Sequence, residues 1–92
     1  MFQVKFTPTA AKAFKHLQPD IKKQLKSALG DLGDNPYLGK PLQNDLALFR
    51  SLKINRYRII YHLDDHSHTL IIVALGHRRT IYDIASHLLG TP

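Results

Sequence analysis

The chain has 92 residues, a formal net charge of +6 (13 Lys and Arg against 7 acidic residues), 43% hydrophobic residues and no cysteine. That length supports one domain over residues 1–92, and zero Cys excludes a disulfide scaffold, a thiolate zinc site and a Cys nucleophile. No apolar run approaches the roughly 18 residues of a membrane span, and Met1-Phe2-Gln3-Val4-Lys5-Phe6 is too polar for a signal peptide, so a cytoplasmic protein is expected.

Residues 2–7 alternate Phe2, Val4 and Phe6 with Gln3, Lys5 and Thr7, a strand of period two. Thr7-Pro8 then starts a helix, with Thr7 as cap and Pro8 at the first helical position. Ala10, Ala13, Phe14 and Leu17 form its apolar stripe. Gln18-Pro19-Asp20 breaks that helix, and a second follows over residues 19–32 with Ile21, Leu25, Ala28, Leu29 and Leu32 on one side. The two make an αα-hairpin. Gly33-Asp34-Asn35-Pro36 stops the second helix, and residues 37–45, with Gly39 and Pro41, read as a loop. Strands over residues 48–54, 57–63 and 69–75 form an antiparallel meander. Asn55-Arg56 is a tight turn between the first two, and residues 64–68 are a longer polar turn. Residues 81–89 predict a short closing helix with Ile81, Ile84, Ala85 and Leu88 on one side. The order β-α-α-β-β-β, with a final α, defines an α+β domain: a helical hairpin packed on a small, mainly antiparallel sheet.

All five arginines lie between Arg50 and Arg79, whereas seven of the eight lysines lie at or before Lys40. Clustered guanidiniums suit bidentate phosphate recognition, so an anion or nucleic-acid surface is expected in the second half. A two-residue turn at Asn55-Arg56 pairs Lys53 with Arg58. Like charges in that position repel. Either they hold an anion, with His62 two pairs along, or both side chains splay into water. A longer turn would flip the assignment, because Arg56 suits positive φ poorly.

Gly76-His77-Arg78-Arg79-Thr80-Ile81-Tyr82 is the second concentration of polar groups. Phosphoryl transfer on RNA needs cations on the phosphate, a base for the 2′-hydroxyl and an acid for the leaving 5′-oxygen. Tyr82 and His77 have the chemistry for the last two roles; alternatively Tyr82 packs in the core and the arginines are solvated. His66-x-His68 beside Asp64 and Asp65 carries donor types that bind zinc or nickel. Without Cys, an HExxH or a helical His pair it reads as a solvated polar turn, and no metal or other cofactor is expected.

Three segments carry a resemblance. Leu52-Lys53-Ile54-Asn55-Arg56-Tyr57-Arg58-Ile59-Ile60-Tyr61 resembles the "R-x-G-x-Y-R-hydrophobic-hydrophobic-Y" strand pair of the RelE/ParE toxin superfamily. Asn35-Pro36 with Gly39-Lys40-Pro41-Leu42 resembles its "NP…G…L" connection, and the segment from Gly76 to Tyr82 resembles its "GHR…(V/I)Y" ending. Length and element order agree over nearly the whole chain. The resemblance implies a toxin of a type II toxin–antitoxin system. RelE-like members are ribosome-dependent endoribonucleases (mRNA interferases) that cut mRNA in the A site without a metal, by attack of the 2′-hydroxyl on the adjacent phosphate. ParE-like members share the fold but inhibit DNA gyrase and need no nuclease site, and a degenerate relative would only bind its antitoxin. The implied partners are the ribosome and mRNA, an acidic RelB-like antitoxin that folds on binding, and operator DNA only through the toxin–antitoxin complex.

Matched position by position, the resemblance implies Arg58 on the phosphate, Arg78 on the transition state and Tyr82 orienting or deprotonating the nucleophile. Lys53 and His77 fall on basic positions, and Arg50, Arg56 and Arg79 complete the implied RNA surface. RelE-type nucleases carry lysines farther up the first meander strand, where this chain has Phe49 and Ser51 with Arg50 between them. A one-residue shift would bring Arg50 into the site; without it part of the basic wall is missing. Arg56 replaces the usual Gly or small residue of the turn.

Overall fold

A computed structural model describes residues 1–42 and 48–81. Strand β1 (Gln3–Phe6) leads into α1 (Pro8–Lys15), and α2 (Pro19–Asp34) completes the helical hairpin. Then come β2 (Lys40–Pro41), β3 (Phe49–Ile54), β4 (Tyr57–Asp64) and β5 (Thr69–His77). Among the described residues one sheet forms in the order β1-β5-β4-β3-β2. All pairings are antiparallel except β1 on β5, which is parallel. The expected α+β architecture is therefore present, with β1 added to the far side of β5. The predicted closing helix lies outside the described residues beyond Ile81, as do residues 43–47 of the predicted loop. No described helix is long and apolar enough to cross a membrane.

Local chemistry explains the hairpin. The Thr7 hydroxyl accepts from Ala10 N–H at 3.2 Å, satisfying one unpaired donor of the first turn. Pro8 and Pro19 open their helices at positions where no amide hydrogen is needed. Lys22 Nζ donates to Lys15 O at 3.0 Å, closing the end of α1. Gly33 does not stop α2; the helix continues to Asp34 and is capped by Asn35 in an extended conformation. Gly33 instead admits a neighbour: Phe2 N–H donates to Gly33 O at 2.7 Å, and a Cβ there would sit 3.3 Å from Phe2 O.

The main core lies between the hairpin and one sheet face. Leu25, Leu29 and Leu32 pack with Ile59, Tyr61, Leu70, Ile72 and Leu75. A smaller cluster on the other face joins Ile60, Val73, Ala74 and Ile81. β5 serves both through its alternating faces, and a bulge shifts its parity midway. Tyr61 pairs with Ile72 and Ile60 with Ala74, so Val73 is an extra residue on β5. The bulge lets Ile72 and Leu75, three residues apart, both face the helices. The polar turn after β4 is closed by Asp64, whose Oδ1 accepts from His66 N–H at 3.1 Å and Ser67 N–H at 3.3 Å. His68 takes φ 53° and stacks on Phe2 with ring centroids 3.9 Å apart.

Candidate functional site

β3 and β4 are joined by the expected two-residue turn, with Ile54 opposite Tyr57 and Lys53 opposite Arg58. Only Asn55 in this turn takes positive φ, at 54°. Asn tolerates that region better than Arg does, so Arg56 is no obstacle. Alternation along the strands then places Ser51, Lys53, Arg58 and Ile60 on the face away from the hairpin.

An open cleft of about 540 Å³ lies on that face, lined by Lys53, Arg58 and Ser51 together with Lys40 of β2. Leu38, Pro41 and Leu42 form its apolar rim. Among the described lining residues there are three cations and no carboxylate. Arg58 is oriented by its own chain: Nη1 donates to Asn55 O at 3.1 Å and Tyr57 O at 3.0 Å. Its Nε and Nη2 have no hydrogen-bond partner among the described residues. A guanidinium held in this way loses little entropy on binding an oxyanion.

The other predicted residues fall in three places. Arg78 continues the ladder past the end of β5, its N–H donating to Arg56 O at 2.7 Å. Gly76 is the partner of Arg58, so Arg78 stands two residues along from it at the same ladder parity. Arg79 is exposed beside it. His77 has the opposite parity; it pairs with Tyr57 and meets that ring edge-on at 5.7 Å. Its Nδ1 accepts from Arg79 N–H at 3.1 Å, so a neutral His77 carries its proton on Nε2. The structure does not place His77 on the Arg58 face; it braces the arginine turn from the hairpin side. Arg56 borders a second groove with Ile21, Gln24 and Tyr57, also on that side. Tyr82 lies outside the described residues. His62 shares the Arg58 face but sits edge-on against Phe49 at 5.3 Å.

Arg50 is a correction. No register shift occurs on β3: Phe49 pairs with His62 and Arg50 with Tyr61. Arg50 therefore points to the hairpin side, away from Lys53 and Arg58. Its Nε donates to Gly39 O at 3.0 Å, and its guanidinium lies 5.2 Å from the Tyr37 ring centroid. The segment read as loop contains β2, and Tyr61 is the reason. Its fully buried hydroxyl donates to Pro36 O at 2.8 Å and accepts from Gly39 N–H at 2.9 Å. Burial pushes this phenol above its ordinary 10.0, with the Gly39 N–H and the Arg50 charge pulling back. Sequence reasoning missed Lys40. The available signal was that Gly39 and Pro41 flank it on an edge strand, where Pro is tolerated.

Residues 4–82 match the family model described as ParE toxin of type II toxin–antitoxin system, parDE. Toxin RelG of Mycobacterium tuberculosis is 37% identical over 83 residues, covering 88% of this chain and 95% of the relative. Toxin RelE of the same organism is 35% identical over 83 residues, covering 88% and 86%. The toxin–antitoxin complex RelBE2 of M. tuberculosis superposes with a TM-score of 0.77 at 37% identity, over 84% of this chain and 91% of that one. The isolated Escherichia coli RelE toxin superposes at 0.75 with 19% identity, over 84% of each chain, a likeness of fold. Sequence match, fold and element order agree that this chain belongs to the RelE/ParE superfamily of type II toxin–antitoxin toxins.

Proposed function

We propose that this toxin is a ribosome-dependent endoribonuclease that cuts mRNA in the A site, neutralised by an acidic RelB-like antitoxin. The observation that carries the reading is the Lys53–Arg58 pair, set side by side in a cleft with no carboxylate among its described lining residues. Opposed like charges cost a sheet up to about 1 kcal/mol. A phosphodiester converts that repulsion into charge-assisted hydrogen bonds.

In the proposed reaction the 2′-oxygen forms a bond to phosphorus and the P–O5′ bond breaks. One fragment ends in a 2′,3′-cyclic phosphate, and the leaving O5′ takes a proton from solvent to give the other fragment its 5′-hydroxyl. Arg58 and Lys53 hold the phosphate, and Arg78 stabilises the charge gathered on its oxygens in the transition state. Tyr82 orients the 2′-hydroxyl while its proton passes to water, or takes that proton itself in the phenolate form. Arg56 and Arg79, exposed at the two turn ends, contact neighbouring phosphates. His77 acts through the backbone of Arg79, positioning the arginine turn. No metal is assigned a step.

The test is to incubate the protein with translating ribosomes and a defined mRNA and to map new ends by primer extension. Codon-phased cuts that vanish in Arg78→Ala and Arg58→Ala support the reading. Folded wild-type protein that leaves the mRNA whole refutes it; inhibition of gyrase supercoiling by the same preparation would then identify the ParE-like activity.

A further inference from the structure

β2 is two residues long, yet it changes the charge of the cleft. Lys40 pairs with Ser51, and Ser51 pairs with Ile60. Two residues along β3, Lys53 pairs with Arg58. Lys40, Ser51, Lys53 and Arg58 therefore share one sheet face, and all four line the cleft. Ser51 is short and neutral where a third cation would complete a basic wall on β3. Arg50, beside it, is turned to the other face and engaged with Gly39 O and the Tyr37 ring. Lys40 brings the charge to the position of Ser51 from the adjacent strand, where directly opposed Cβ atoms stand about 5 Å apart.

The backbone on both sides of Lys40 is pinned. Gly39 N–H is held by Tyr61 Oη at 2.9 Å and Gly39 O by Arg50 Nε at 3.0 Å. Leu42 N–H donates to Phe49 O at 2.9 Å. A Cβ on residue 39 would stand 2.6 Å from Tyr61 Oη, so the segment closes this tightly only with glycine there. A fully buried hydroxyl and a half-buried guanidinium thus fix the strand that carries Lys40, whereas a lysine serving only solubility requires no fixed backbone.

We propose that Lys40 is a third phosphate-binding cation of the cleft, acting with Lys53 and Arg58, and that its ligand is an RNA phosphodiester. The choice of RNA rests on the nuclease reading above. Three cations on two adjacent strand pairs, rimmed by Leu38 and Leu42, make a seat for one phosphate with a sugar or base against the apolar edge.

The experiment measures binding of a fluorescent, all-2′-O-methyl oligoribonucleotide, which has no free 2′-hydroxyl to attack. Wild type, Lys40→Ala, Lys40→Arg and the exposed helix variant Lys23→Ala are titrated across a series of KCl concentrations. Loss of one phosphate contact should weaken binding about five- to tenfold at low salt and reduce the log–log salt slope by about 0.7. That result is expected for Lys40→Ala, with recovery in Lys40→Arg and wild-type behaviour in Lys23→Ala. A wild-type slope in Lys40→Ala, an equal loss in Lys23→Ala, or no binding by wild type overturns the proposal. So does weakened binding of an oligo-aspartate peptide with RNA binding intact, which would make Lys40 a carboxylate contact. The two readings fail separately. Cuts lost in Arg58→Ala, with Lys40→Ala like wild type in both assays, remove Lys40 and keep the nuclease. A reduced slope in Lys40→Ala, with uncut mRNA from wild type, removes the nuclease and keeps the phosphate seat.

Discussion

Replacing Tyr61 by Phe removes one oxygen and leaves the ring in place. The hydroxyl is fully buried and joins Pro36 O and Gly39 N–H, both on buried residues. Without it, a carbonyl and an amide lose their partners in a dry site. Each such group costs about 1–3 kcal/mol, and the better hydration balance of Phe offsets part of the sum. The expected loss is about 2–4 kcal/mol, a large share of the roughly 5–14 kcal/mol available to a chain of this size. Urea unfolding followed by far-UV circular dichroism should show the midpoint lowered by about 1–3 M with an unchanged slope. The thermal midpoint should fall by about 10–25 °C. Tyr61→Phe within about 0.5 kcal/mol of wild type would mean that water replaces the hydroxyl, and that β2 does not depend on it. The same hydroxyl predicts a pH dependence. Burial raises its folded value above 10.0, so the neutral form is favoured in the folded state. Its contribution is fully present below the ordinary value and is lost as pH rises through the folded one. Wild type should therefore lose stability above about pH 10 more steeply than Tyr61→Phe, and parallel curves would contradict this.

Gly39→Ala places a methyl 2.6 Å from Tyr61 Oη and 3.0 Å from Ser51 O, so overpacking of about 1–3 kcal/mol is expected in the same urea titration. Arg78→Ala should leave stability within about 0.5 kcal/mol, because the side chain is exposed. It should reduce cleavage by about 10²-fold or more, as loss of a transition-state donor does; full activity would remove Arg78 from the site. Asp64 is held below its ordinary 3.8 by hydrogen bonds from Ser67 and His66. Stability that it contributes above that value is lost as pH falls through the folded one, so Asp64→Asn should flatten the acid limb of a stability–pH profile. Thr7→Ala should cost about 1 kcal/mol by freeing the Ala10 amide, read from the thermal midpoint.

Local patterns were enough to read the helical hairpin and the meander. Thr7-Pro8 and Gln18-Pro19 mark helix starts through φ and missing amide hydrogens, properties that travel with the residues themselves. The Lys53–Arg58 pairing was legible because a two-residue turn sets register by counting, and Asn55 meets the backbone cost of the turn. What stayed hidden depends on contacts distant in sequence. β2 exists because Tyr61, 22 residues beyond Gly39, holds its amide from across the sheet. Gly33 looks like a helix stop until Phe2 is seen to need the space. Arg50 and Lys53 are equally cationic in the sequence, yet pleating sends them to opposite faces, one to brace a loop and one to the cleft.

Periodicity, turn chemistry and charge within short windows made the α+β class, the helical hairpin, the meander, the Lys53–Arg58 pairing and the basic second half readable from the residues alone. Long-range contacts were needed to bring Lys40 beside that pair and to set Arg78 on its ladder parity. The first depends on an edge strand anchored by a buried phenol and the second on a bulge at Val73, and neither is encoded within a single turn or strand.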